Sequence, residues 1–99
     1  MKTLLSLLTF GLFAASAVPA QAADTRIFEM RVYYAAEGKL DALHARFRDH
    51  TTALFTKHGM INLGYFVPTG ENAERKLVYF LAYPDKSARD ASWKGIMND

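Results

Sequence analysis

The segment Lys76 to Tyr83, KLVYFLAY, is apolar on both of the faces that a strand presents. Leu77, Tyr79 and Leu81 fall on one side, and Val78, Phe80 and Ala82 on the other. Such a strand has to lie in the middle of a sheet and be covered from both sides. The rest of the chain must therefore supply a neighbour at each edge and a layer over each face.

The neighbours are legible in the periodicity. Arg26 to Tyr34 (RIFEMRVYY) alternates, with Phe28, Met30, Val32 and Tyr34 on one face and Ile27, Glu29, Arg31 and Tyr33 on the other, which predicts a first strand. After a turn over Ala35 to Lys39, the residues Leu40, Leu43, Phe47 and Leu54, with Thr51 and Phe55 more loosely, recur at helical spacing as far as His58. A long amphipathic helix follows from that spacing, and Gly59 is placed to end it in a left-handed conformation. Met60 to Val67 reads as a second strand, Pro68 to Asn72 as a loop, and Lys76 to Tyr83 as the third strand of a hairpin. Pro84 and Asp85 stop that strand, and Asp85 or Ser87 caps a second helix through Ala88, Ala91, Ser92, Trp93 and Ile96. The order βαββα is that of the ferredoxin-like, split βαβ fold with its last strand absent. The expected class is α+β. In that layout the first and third strands sit side by side, both helices cover one face, and the other face is bare. The fourth strand would flank the first, so an end at Asp99 leaves a long apolar edge unpaired and implies a frame truncated at its C-terminus.

Ahead of this domain stands a different kind of segment. Met1 and Lys2 give a short positive start, Leu4 to Val18 is nearly all apolar, and Ala20-Gln21-Ala22 supplies a small-x-small cleavage site. This is the layout of a secretory signal peptide over residues 1–22, cleaved after Ala22, with residues 23–99 as the mature domain. The apolar run is roughly 15 residues, short of the ~20 needed to cross a bilayer, so no stable membrane anchor is expected. With no cysteine to accept a lipid and no twin arginine, a periplasmic or secreted protein is the expectation.

The counts of Lys+Arg 12 and Asp+Glu 10 move closer still to balance once Lys2 leaves with the leader. That balance argues against nucleic acid or an anionic membrane as partner. The absence of cysteine removes disulfides, thiolate metal sites and thiol nucleophiles at once. A small domain without staples buries only about 60% of its surface, and the shortfall points to packing between subunits, a homodimer.

Few residues are candidates for chemistry. His44, His50 and His58 are 6 and 8 apart, not the i, i+4 pair that sets two imidazoles on one helix face, so no metal site and no cofactor is expected. His50 falls at the border of the Leu43, Phe47, Leu54 stripe, either as a partly buried histidine or as a polar group at the mouth of a pocket. Period two puts Glu29, Arg31 and Tyr33 on one side of the first strand. If the apolar side meets the helices, these three point into the space between sheets. They then form either a structural ion pair bridging to another subunit or a polar anchor in an aromatic cavity with Tyr65, Tyr79 and Tyr83 nearby. The candidate ligand-binding set is Glu29, Arg31, Tyr33, His50, Tyr65 and Tyr79; no catalytic residue can be named.

Several runs carry a family resemblance: Phe28-Glu29-Met30-Arg31-Val32-Tyr33 with Gly38-Lys39-Leu40; Phe47-Arg48-Asp49-His50 and Lys57-His58-Gly59; and Leu77 to Asp85 continuing through Ala88-Arg89-Asp90-Ala91-Ser92-Trp93-Lys94. Together they resemble the NIPSNAP family across nearly all of the mature chain. The resemblance implies half of a dimeric α+β barrel, in which two ferredoxin-like sheets pack face to face and cover the bare side. It also implies an exported small domain of unknown biochemical activity, a dimeric ligand-binding or interaction module. The alternative, by analogy of fold, is a cofactor-independent oxygenase or isomerase acting on a small organic molecule.

Overall fold

The computed structural model describes residues 23–99; the signal peptide expected over residues 1–22 lies outside the described residues. Strand β1 (Ile27–Tyr34) leads into a helical stretch made of α1 (Leu40–Arg46), a π-helical segment (Phe47–Thr51) and α2 (Thr52–Lys57). Strands β2 (Ile61–Phe66) and β3 (Lys76–Tyr83) follow, and α3 (Lys86–Met97) completes the order. The sheet runs β1-β3-β2 with both pairings antiparallel. The doubly apolar strand is therefore the central one, and the architecture is α+β with a partial ferredoxin-like topology.

The ends of the helices are set by local chemistry. At α3, the Asp85 carboxylate accepts a 2.7 Å hydrogen bond from the Ala88 N–H, satisfying one of the donors that a helix start leaves free. At the end of α2, Gly59 takes φ +84°. The Gly59 N–H reaches the Thr56 carbonyl and the Met60 N–H the Phe55 carbonyl, each at 3.0 Å. That is a Schellman closure, and only a residue without a Cβ adopts its φ at no cost.

The core lies on one side of the sheet. Leu77, Tyr79, Leu81 and Tyr83 of β3 are buried there with Phe47, Phe55 and Met60, and Ile27, Tyr33, Tyr65, Trp93 and Ile96 pack against them. Two expectations are corrected here. Unbroken helical spacing puts Leu54 over the core, seven residues after Phe47, but Phe55 is the residue buried, at 3% exposure. The π-helical segment accommodates one extra residue, which turns the following helix back by about 100° and brings Phe55 into line with Phe47. The second correction concerns β1. Its apolar face does not meet the helices: Phe28, Met30 and Tyr34 are exposed, while Glu29, Arg31 and Tyr33 lie on the helix side. Register fixes this parity, since Arg31 stands opposite Tyr79 and Glu29 opposite Leu81, and both partners are core residues. Among the described residues, no helix is long and apolar enough to cross a membrane.

Candidate functional site

Two features stand out, a carboxylate hub under α3 and a bare sheet face on the opposite side. Glu29 is the hub. Its Oε1 accepts from the Tyr83 hydroxyl at 2.6 Å and from the Trp93 indole N–H at 3.2 Å. Its Oε2 accepts from Arg89 Nη2 at 2.7 Å and Arg31 Nη1 at 3.1 Å. Burial opposes ionisation of this carboxyl, but the hydrogen bonds from Arg89, Tyr83 and Trp93 outweigh it and hold the pKa at about 2. Arg31 is clamped from a second direction, its guanidinium 4.5 Å from the centre of the Trp93 ring, a cation–π contact.

Arg89 and Trp93 did not figure in the candidate set, although a signal for them exists. They are i and i+4 on one helix and so share a face. That face had no visible reason to meet Glu29, some 60 residues away in sequence.

Beside the hub lies an aromatic block. Tyr79 is fully buried, stacked on Tyr65 with ring centres 5.1 Å apart and edge-on to Tyr33 and Phe47 at 5.3 and 5.1 Å. Burial pushes the Tyr65 phenol up to about 12. It pushes the Tyr79 and Tyr83 phenols up as well, Tyr83 being further held in its neutral form by its bond to Glu29. Two polar atoms in this block, the Tyr79 hydroxyl and Arg31 Nε, are buried without a hydrogen-bond partner.

The structure thus gathers five of the six candidate residues, Glu29, Arg31, Tyr33, Tyr65 and Tyr79, but between sheet and helices and as a packed block instead of in a space between sheets. His50 does not join them: it stands exposed on the π-helical segment. Chemically, the hub is committed. A general base works best with a pKa near the operating pH and a free lone pair, whereas Glu29 is ionised far below neutrality and accepts four donors. Among the described residues, no group of three or more His, Cys, Asp or Glu side chains is placed to hold a metal ion.

Among the described residues nothing covers the opposite face, which is apolar. Register puts Phe28, Met30 and Val32 of β1 beside Ala82, Phe80 and Val78 of β3, and those beside Ile61, Gly64 and Phe66 of β2. Phe28, Met30, Ile61 and Phe66 are each more than half exposed, at 59%, 60%, 53% and 54%. Phe66 sits edge-on to Phe80 at 6.0 Å and folds back over Gly64, where any Cβ would lie 2.7 Å from the ring.

The model of the NIPSNAP family matches residues 28–99. Among solved structures the chain is similar to an uncharacterized NIPSNAP domain protein from Burkholderia xenovorans, with 24% identity and a TM-score of 0.61 over 73% of this chain and 69% of that one. No curated protein matches.

Proposed function

We propose, from the premise that this chain belongs to the NIPSNAP family, that it is a non-catalytic interaction module whose bare sheet face is covered by a second copy. The observation that carries this reading is the apolar face itself. Three strands spaced ~4.8 Å apart and about 25 Å long present several hundred Å², at or above the largest apolar patch that monomers ordinarily leave in water. A second copy related by a two-fold axis would present the same residues, so that Phe28, Met30, Phe66 and Phe80 of each sheet pack on those of the other. The hub supports the same reading from the other side: Glu29 accepts four donors and is spent on locking α3 to β1.

Sedimentation of the chain at micromolar concentration should give the mass of a dimer. Met30→Glu would place a charge in the middle of the joined faces and should weaken association by about a hundredfold or more, the equivalent of roughly 3 kcal/mol. A monomer at tens of micromolar for the unsubstituted chain would remove the dimer from consideration. The leader layout over residues 1–22 supports an address outside the cytoplasm. Expressed in a bacterial host, the protein should appear in the periplasmic fraction with Ala23 as its first residue; recovery from the membrane fraction with Met1 retained would contradict export.

A further inference from the structure

Away from the hub, and touching the bare sheet face only through Tyr34 at the end of β1, a groove of about 320 Å³ opens where β1 runs into α1. Its walls are Tyr34, Leu43 and three alanines, Ala35, Ala36 and Ala42. Alanine at three of the seven lining positions puts only a methyl group where a longer side chain could fill the space. The remaining lining residues are Lys39 and Arg46, and no acid lines the groove. Among the described residues, neither cation has a carboxylate partner. Of the other exposed cations, Arg26, Arg48, Lys57 and Lys86 are paired, while among the described residues Lys94 on α3 stands alone, so what sets Lys39 and Arg46 apart is that the two share one groove.

The wall of the groove is also held in an unusual way. Arg75 is the one non-glycine residue with positive φ, +58°, among the described residues, a conformation that costs a side-chain-bearing residue free energy. Its backbone carbonyl accepts from the Ala35 N–H and its Nε donates to the Ala35 carbonyl, both at 2.9 Å. The strained residue therefore clamps both polar groups of Ala35, a wall residue of the groove. An open groove with apolar side chains, two cations without carboxylate partners and no acid is complementary to a molecule with a short apolar body and an anionic head.

We infer that the groove between β1 and α1 is a binding site for a small amphipathic anion, its apolar part against Tyr34, Leu43 and the alanines and its carboxylate or phosphate head on Lys39 and Arg46. This goes beyond the pairing of sheet faces and does not depend on it. The probes are octanoate, octyl phosphate, octanamide and acetate, titrated into the isotopically labelled full chain while amide and methyl resonances are followed. Octanoate or octyl phosphate should bind saturably, at least tenfold tighter than octanamide or acetate, moving the resonances of Ala35, Ala36 and Ala42. Whichever of the two binds tighter identifies the head group. Lys39→Gln and Arg46→Gln, both changes of exposed side chains, should each weaken binding about fivefold. Ala42→Phe, which fills the slot, should abolish it while sedimentation shows the assembly unchanged. Equal affinity for octanamide, unaltered binding to the Ala42→Phe chain, or shifts confined to Phe28, Met30 and Phe66 would each overturn the assignment.

Discussion

Replacing Glu29 by glutamine is expected to cost about 3–5 kcal/mol of unfolding free energy, the range seen when one partner of a buried charged network is removed. Glutamine keeps one acceptor oxygen but turns the other into an NH₂ group, so that donor meets donor at two of the four contacts from Tyr83, Trp93, Arg89 and Arg31. Arg31 is then left partly buried with its carboxylate partner gone, the costlier half of the change. A domain of this size holds only about 5–10 kcal/mol in total, so the variant should be marginal. Urea unfolding followed through Trp93, the single tryptophan, measures it. A loss below about 1 kcal/mol, the size of an exposed pair, would show that the hub does not hold α3 to the sheet.

The same group sets an acid limb of stability. Its folded pKa of about 2 lies below the ordinary 4.5, so the unfolded chain binds the proton more readily and the contribution is full above pH 4.5. It is lost as the pH falls from about 4.5 towards 2. In the glutamine variant that limb should flatten, leaving the slope from the exposed carboxyls of Asp24, Asp90 and Asp99, which are also held low by neighbouring cations, chiefly Arg26, Lys86 and Lys57.

The second large effect belongs to Tyr79. Truncation to alanine removes a fully buried ring that touches Tyr33, Phe47, Phe55 and Tyr65, and should cost about 3–5 kcal/mol. Tyr79→Phe should behave in the opposite way. The hydroxyl is buried with no partner in good hydrogen-bond geometry, only the weaker approach of Tyr33 and Arg31, so deleting it removes a desolvated group and at most a weak contact, leaving stability within about 0.5 kcal/mol or raising it. Paired unfolding curves of the two variants distinguish ring from hydroxyl; a loss above about 1 kcal/mol for the phenylalanine form would mean that the hydroxyl is bonded in solution.

Much of this was legible beforehand because it is local. Strand β3 has the bounds that its two apolar faces predict, Asp85 caps α3, and Gly59 closes α2. Each depends on residues within one turn or one strand. Leu54 and His50 were misplaced for a related reason: regular helical spacing assumes that the helix is regular, and nothing in the run Phe47-Arg48-Asp49-His50-Thr51 announces a π-helical turn. Five of the six candidate residues do converge, yet on the side of the sheet opposite to the one expected.

The sequence by itself determined the elements, their order, the central place of β3 and the division of β1 into two faces, since periodicity is a property of neighbouring residues. It did not determine which of those faces is buried. An average of polarity favours burying Phe28 and Met30 and leaving Glu29 and Arg31 in water. Tertiary structure reversed this through two long-range facts, the register that sets Arg31 opposite Tyr79 and the arrival of Arg89 and Trp93 on α3 to satisfy Glu29. A charged group is buried when enough donors meet it, and donors some 60 residues away are brought to it only by the fold.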